Sequence, residues 1–233
     1  MTLRSSSERA ALIARAPTWG IGTCVLDGVR RTCAMSWDDF ECDVRWAQRV
    51  LVAHGVGPGA VVMTSSAPEE THWFAPFELA AIRLGAAYAP CDARPWDVTR
   101  NLSYLRRLPV KVYLGANAVL VAAFAAQGPL AEIVRGAAVL ARPDALAPLR
   151  AAGLSPFTLA LLGPAIGAEL PARDGVCVNA AQWRVESVEG ALHLSTVDPA
   201  RACQVRRAAL GLRGRVTGSA ADGDQRIALD VAT

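Results

Sequence analysis

The chain has 233 residues, of which 52% are hydrophobic, enough for one large domain or two small ones with a sizeable core. Its 24 basic and 21 acidic residues leave a net charge of only +3. This balance excludes attraction of the whole protein to nucleic acid or to an acidic membrane surface as its default mode of action. Any binding surface must therefore be a local patch.

The start of the chain predicts a leading helix without a continuous apolar stretch. Glu8, Arg9 and Arg15 interrupt its apolar residues, so we expect no signal peptide and a cytoplasmic protein. The longest uncharged run, residues 112–131, contains Pro129 and divides into a strand and a helix. We therefore expect no transmembrane segment.

Strands and helices alternate through residues 1–153. A hairpin with Asp27 and Gly28 at its turn comes first, and Ser36 then predicts the N-cap of a helix. The strands and helices that follow are, in turn, AVVMTSS, PEETHWFAPFELAAIRLG, AAYAPC, PWDVTRNLSYLRRL, VKVYLG, AVLVAAFAAQ, GAAVLA and ALAPLRAAG. This order predicts an α/β fold, a Rossmann-like layered unit with a parallel sheet.

Residues 154–233 differ from the first part in their pattern of apolar, polar and turn residues. This pattern predicts a small β-rich tail packed on the first unit. The segment SPFTLALLGPAIGAELPARDG is an apolar strand, a Gly-Pro break and a second strand. After Gly175 the chain alternates and turns like short antiparallel strands, with Glu189 and Gly190 at a hairpin position.

Two blocks of sequence carry a resemblance to a known family. The first contains MSWDDF, HGVGPGAVVM, IRLGAAYAPCDARP and VKVYLG, and the second contains FTLALLGPAIGAELPARDGVCV and GALHLSTVDPARACQVRRAALGLRGRV. The first block resembles the opening of the adenylate-forming superfamily, which includes acyl- and aryl-CoA ligases. The second is similar to a later part of the phenylacetate-CoA ligase branch. Together the blocks cover about two thirds of the chain, and the central phosphate loop and carboxyl-terminal lid of the family have no counterpart between or after them.

The resemblance implies that the residues of adenylation chemistry are lost. The family loop Tyr-Gly-Leu-Ser-Glu aligns with residues 157–161, so its hydroxyl is replaced by Ala160 and its Mg²⁺-binding carboxylate by Leu161. The ribose-binding aspartate aligns with Gly211. A truncated member of this kind is expected to bind no nucleotide cofactor, and we expect Leu161 to be buried without a functional role.

Arginines recur near the end of the chain. No acidic residue lies between Pro199 and Ala221, and Arg201 and Arg215 belong to this stretch. The candidate contacts for an anion are Arg206, Arg207 and Arg213, because arginine forks match phosphate geometry. The anion would be a phosphate, the pantetheine arm of CoA or a carrier protein. The alternative is a solvated face without a ligand.

Other chemistry-bearing residues have simpler interpretations. Ser65, Ser66 and His72 suggest a hydrolase, but no G-x-S-x-G motif surrounds them, and a strand end followed by a helix cap is the favoured interpretation. Three scattered histidines and six cysteines without a C-x-x-C pair predict no metal site, and the cysteines are expected to be reduced and buried.

Two classes of function remain open. The first is a catalytically inactive homologue that acts as a binding, scaffold or regulatory subunit in small-molecule biosynthesis. The second is a repurposed or split enzyme that binds an acyl or aryl group and works with a partner chain. The missing central segment is expected to leave apolar sheet faces exposed, which predicts a homodimer or a complex with a full-length ligase or carrier protein. Neither nucleic acid nor a membrane is an expected partner.

Overall fold

The computed structural model describes residues 17–219 and 223–230, and the predicted leading helix lies outside them. The strands are β1 (Thr18–Leu26), β2 (Val29–Ser36), β3 (Val61–Ser65), β4 (Ala87–Cys91), β5 (Val110–Ala116), β6 (Ala138–Ala141), β7 (Phe157–Leu162), β8 (Ala165–Glu169), β9 (Val176–Val178), β10 (Trp183–Val188), β11 (Ala191–Thr196), β12 (Ala208–Ser219) and β13 (Gln225–Leu229). The helices are α1 (Trp37–Ala53), α2 (Thr71–Arg83), α3 (Val98–Arg107), α4 (Ala118–Ala125), α5 (Leu130–Ile133) and α6 (Pro143–Ala151).

Local chemistry explains the first elements. Asp27 and Gly28 both have positive φ, the geometry of the two-residue turns that match strand twist, and they join β1 to β2. Ser36 then caps α1: its hydroxyl accepts the Asp39 backbone N–H, and the Asp39 carboxylate accepts the Ser36 N–H in return. The predicted hairpin and helix start are confirmed.

Eleven of the described strands form one sheet in the order β10-β11-β12-β13-β9-β8-β7-β6-β5-β3-β4. The pairs from β4 to β7 are parallel, and those from β7 to β10 are antiparallel. The predicted α/β class is confirmed, and the β-rich tail continues the sheet of the first part. A division into units 1–153 and 154–233 stays a prediction.

The inner parallel strands β3 and β5 are covered on both faces, as βαβ crossovers require. Val62 and Leu114 belong to a core cluster shared with α1 and α2, whereas Met63 and Tyr113 belong to a second cluster shared with α3, α4 and α6. All of β3 is buried, and so is β5 except for Lys111. The expectation of exposed apolar sheet faces is therefore wrong for β3 and β5, whereas Ala87 and Pro90 of the edge strand β4 are exposed.

Buried ion pairs and hydrogen bonds connect the tail with α1. The Arg201 guanidinium is 4% exposed, donates to the Asp43 carboxylate at 2.7 Å, and lies 4.4 Å from the centre of the Trp183 ring. Asp224 accepts hydrogen bonds from the Trp46 indole and from Arg49. Arg201 is therefore a structural residue, and the sequence-based grouping with solvated or anion-binding arginines is wrong for it.

None of the helices in the described part of the chain is both long and apolar enough to cross a membrane.

Candidate functional site

A cleft of about 180 Å³ lies between the β1–β2 hairpin and the loop that follows β3. We call it the hairpin cleft. Its lining residues are Thr23, Cys24, Val25, Arg30, Glu69, Glu70, Trp73 and Leu161. In the strand order, β3 is where the chain reverses direction across the sheet, with β4 on one side and β5 on the other. Ligands of open α/β sheets bind beyond the carboxyl end of the strands at such a switch point, and Glu69 and Glu70 lie just beyond β3.

Glu70 forms the firmest ion pair of the cleft. Arg142, which follows β6, donates to both carboxylate oxygens at 2.7 and 2.6 Å, and both side chains are largely buried. The Glu70 carboxylate also accepts the Ala67 backbone N–H at 2.8 Å. Two-point pairing with an additional backbone bond fixes the carboxylate in place and neutralises it.

The other two charges of the cleft are more exposed. Glu69 pairs with Arg94 at 2.6 Å. Hydrogen bonding from its own backbone N–H and from Arg94 lowers the pKa of Glu69, so the carboxylate is ionised at neutral pH. The side chain of Arg30, on β2, forms no direct ion pair or hydrogen bond among the described residues, although its charge helps to lower the pKa of Glu69. Since both acids already have a cation, Arg30 gives the cleft a surplus positive charge.

Cys24 lines the cleft, and behind it lie two further thiols, Cys33 and Cys203, beside His72. The Cys24 and Cys33 sulfurs are 3.4 Å apart, and hydrogen bonds from Cys203 and Cys24 lower the pKa of Cys33. Gly22 and Cys33 face each other in the β1–β2 register, and a Cβ at Gly22 would overlap the His72 ring. The His72 ring therefore takes the place of a Gly22 side chain, and both of its ring nitrogens are buried.

The cleft combines an apolar floor with one unpaired cation. Leu161, Val25 and Trp73 supply the apolar surface, and Arg30 supplies the charge. An apolar cavity of about 150 Å³ accommodates benzene. The arrangement therefore suits a small carboxylic acid whose carboxylate meets Arg30 and whose apolar group meets Leu161.

The positions aligned with lost family residues occupy three different environments. Ala160 is fully buried in β7. Leu161 is only half-buried and faces the hairpin cleft, so the expectation of a buried residue is wrong. The cause is that the β1–β2 hairpin covers this part of β7 incompletely. Gly211 is exposed in β12 with a φ of 67°, and a Cβ there would touch nothing.

The three candidate anion contacts are not gathered around one point. Arg206 is exposed and has no partner among the described residues. Arg207 lies 3.8 Å from the Glu186 carboxylate, and its backbone N–H bonds to the Ser195 hydroxyl. Arg213 donates to the Glu189 carbonyl, and it pairs across the ladder with a residue four positions before Ser195. This offset along β11 corresponds to roughly 13 Å at about 3.3 Å per residue, so Arg207 and Arg213 lie about that far apart along the strand.

Sequence reasoning missed Arg30, Glu69, Glu70 and Arg142. Three of them could have been found from their position in the sequence, because polar residues directly after predicted parallel strands lie at one edge of the sheet. Glu69 and Glu70 follow AVVMTSS, and Arg142 follows GAAVLA. No comparable signal marks Arg30, since its position depends on where the hairpin folds.

The serine and cysteine candidates have structural roles. Ser65 is buried, and its hydroxyl contacts Asn101 and Tyr113, so its role is a buried hydrogen bond rather than the predicted cap. The six cysteines are free, with Cys42 and Cys203 half-buried and the other four buried. Across residues 17–219 and 223–230, no group of three or more His, Cys, Asp or Glu side chains is arranged to hold a metal ion.

Solved structures with a similar fold include a CoA ligase and an amide bond synthetase. A 2-hydroxyisobutyryl-CoA ligase, in complex with 2-HIB-AMP and CoA, matches 96% of this chain with a TM-score of 0.69 and 14% identity. The amide bond synthetase McbA from Marinactinospora thermotolerans matches 93% with a TM-score of 0.56 and 14% identity. An ATP-bound RpMatB-BxBclM chimera matches 95% with a TM-score of 0.56 and 14% identity.

The chain spans 60%, 50% and 51% of the length of these three proteins. No protein-family model matches the chain, and no curated protein sequence matches it. At this identity the likeness shows a shared fold.

Proposed function

We propose that the chain is a non-adenylating homologue of acyl- and aryl-CoA ligases that binds a small carboxylic acid in the hairpin cleft and acts as a binding or regulatory subunit. The observation that carries the proposal is Leu161. It lines the cleft at the position where the resemblance expects the Mg²⁺-binding carboxylate. A leucine cannot coordinate a hard cation, which takes oxygen ligands, but it can contact an apolar acyl group.

The charge distribution of the cleft supports a carboxylate ligand. Glu69 and Glu70 are neutralised by Arg94 and Arg142, which leaves Arg30 as the surplus charge. The ligase with 2-HIB-AMP and CoA binds an acyl-adenylate, and the proposal keeps the acyl part of such a ligand without the nucleotide. The tail beyond β7 then serves as structural support rather than as a nucleotide site.

Two measurements test the proposal together. Calorimetric titration with benzoate and 2-hydroxyisobutyrate should show binding that Arg30→Ala weakens by about tenfold, the loss expected for one charge-assisted hydrogen bond. Leu161→Trp should abolish binding by filling the cleft. Arg206→Ala is the matched control, because Arg206 is equally exposed but lies outside the cleft.

ATP–pyrophosphate exchange tests the loss of catalysis. We expect no exchange with any of these acids, and exchange above background that depends on the chain would overturn the proposal. Leu161→Glu should not restore exchange. It should lower the free energy of unfolding by about 1–3 kcal/mol, because a half-buried carboxylate loses part of its hydration.

The second candidate is an acyl-binding chain that completes an active site together with a partner. The observation in its favour is an exposed apolar patch on the hairpin, formed by Ile21 and Val25 on one face of β1, of which Val25 also lines the cleft. A partner that covers this patch would close the cleft. Exchange activity that appears only when the chain is co-expressed with a full-length ligase would favour this candidate over the first.

A further inference from the structure

A second cleft, of about 420 Å³, opens where the antiparallel strands meet the end of α6. We call it the arginine cleft. It is lined by Arg150, Thr158, Glu169, Arg173, Asp174, Gly175, Val176, Arg215, Thr217, Ile227, Ala228 and Leu229. Its volume falls within the range of small-molecule sites, about 300–1,000 Å³. None of its residues lines the hairpin cleft, so a ligand bound here would be independent of the proposed function.

The two carboxylates of the arginine cleft are already occupied. Glu169 accepts the backbone N–H and the hydroxyl of Thr158 at 2.8 and 3.0 Å, and its other oxygen lies 3.7 Å from Arg173. Asp174 pairs with Arg226 at 3.1 Å. Neither acid is therefore directed at the two remaining arginines.

One guanidinium of the cleft is held rigidly. Arg173 donates to the carbonyls of Ser155 and Pro156 at 2.7 and 3.1 Å, and it lies 4.1 Å from the centre of the Phe157 ring. Its backbone has a φ of 54°, a conformation uncommon for a residue with a side chain. The positive charge of Arg173 therefore has a fixed position beside the cleft.

Arg150 and Arg215 are the charges without a partner. Both are exposed, and neither side chain has an ion pair or hydrogen bond among the described residues. Arg173 also lines the cleft beside Glu169, and Asp174 is neutralised by Arg226, which is not itself a lining residue. The cleft is left with a surplus of two positive charges.

We propose that the arginine cleft binds a phosphate group, either free or as the monoester of a small molecule. A phosphate monoester carries about −1.5 to −2 charges at neutral pH, which matches the surplus of the cleft. Guanidinium forks pair with two phosphate oxygens at a time, and Arg150 and Arg215 have all their donors available for this. The site differs from the one predicted from sequence, whose three arginines are separated in the fold.

Titration followed by ³¹P NMR and calorimetry tests the site, with inorganic phosphate and glycerol 3-phosphate as separate probes at fixed ionic strength. Each of Arg150→Ala and Arg215→Ala should weaken binding by about tenfold, the loss of one charge-assisted contact. Arg206→Ala and Arg213→Ala are matched controls and should leave binding unchanged. Preference for the ester over inorganic phosphate identifies a phosphorylated small molecule as the ligand, and equal affinity identifies free phosphate.

Three results would overturn the proposal. They are no binding of either probe by the unmodified chain, equal weakening by the control variants, and unchanged binding in the Arg150→Ala Arg215→Ala double variant. Because both residues are exposed, these variants should keep the thermal unfolding midpoint of the parent, which shows that any loss is local. Arg30→Ala should not affect phosphate binding, so failure here is distinguishable from failure of the hairpin cleft to bind acids.

Discussion

Gly22 has no side chain, and a neighbouring residue occupies the space that one would need. The His72 ring lies where a Cβ would be, and the centre of the Trp73 ring lies 3.9 Å from the centre of the His72 ring, so the histidine has little room to move. Gly22→Ala should lower the free energy of unfolding by about 1–3 kcal/mol, as overpacking does. Urea denaturation measures the change. Gly20→Ala, on the same strand with open space around it, is the control and should have little effect.

A loss in Gly20→Ala as large as in Gly22→Ala would mean that strand propensity, and not the His72 ring, decides the cost.

Two histidines make stability depend on pH. Burial lowers the pKa of both His54 and His72 from the ordinary value of 6.5. The nearby Cys33, Glu69 and Glu70 favour protonation of His72, but burial is the larger effect. Below pH 6.5 the unfolded chain takes up protons that the folded chain does not, so the free energy of unfolding should fall as the pH falls and be constant above that value.

Urea unfolding between about pH 7 and about pH 5 measures this slope. The double variant His54→Gln His72→Gln should flatten it. An equal slope in parent and double variant would assign the pH dependence to other groups.

At the scale of elements, the contact between α1 and the segment before β12 includes a buried ion pair between Asp43 and Arg201. Burial raises the pKa of Asp43, and Arg201 opposes that effect. Arg201→Ala should lower the free energy of unfolding by about 3–5 kcal/mol, because an unpaired buried carboxylate remains. Since Asp43 can take up a proton in the variant, the deficit should shrink as the pH falls toward the ordinary value of 3.8.

Chemical denaturation at neutral and acidic pH measures the deficit, with the exposed Arg206→Ala as control. A deficit that is independent of pH would mean that lost packing against Trp183, rather than the charge, is responsible.

The elements themselves were largely predictable. Period and turn residues indicated the two hairpins at Asp27-Gly28 and Glu189-Gly190, and alternating apolar segments indicated the parallel strands. The structure of the arginine-rich stretch was harder to predict, because this stretch contains the twelve-residue strand β12, whose two ends pair with different strands. Which face of β12 is exposed depends on partners distant in sequence, and no local pattern contains that information.

For the whole molecule, we expect association through the hairpin. The strands β3 and β5 are covered, whereas the hairpin exposes Ile21 and Val25 on one face of β1, by 70% and 52%, and Val29 at its turn, by 57%. A homodimer, or a heterodimer with a full-length ligase, should bury upwards of about 1,000 Å². Light scattering and co-purification measure the two cases. Ile21→Glu should give monomers without loss of stability, and a parent chain that is monomeric with and without the ligase would contradict the expectation.

The candidate site was predictable only in part. Resemblance directed attention to Leu161, which does line the hairpin cleft, but it gave no indication of Arg30, because β2 and β7 are far apart in sequence. The arginine cleft was not predicted either. Its charges come from a helix end and from two separate parts of the antiparallel strands, and only the folded sheet brings Arg150, Arg173 and Arg215 to one place.

The sheet has its fewest paired residues where its parallel and antiparallel halves join. Strands β6 and β7 are paired through only two residue pairs, Leu140 with Phe157 and Ala141 with Thr158. Native-state hydrogen exchange should therefore separate the amides of β3 to β6 from those of β7 to β13 into two groups with different opening free energies. A single opening energy for both groups would mean that the ion pair of Arg201 and the contacts of Asp224 join the halves into one cooperative unit. The eleven-stranded sheet thus has its fewest paired residues near its middle, and both clefts span this junction. Leu161 of β7 lines the hairpin cleft together with Glu69 and Glu70, and Arg150 of α6 lines the arginine cleft together with residues of β8 and β13, so a ligand in either cleft would contact both halves of the sheet.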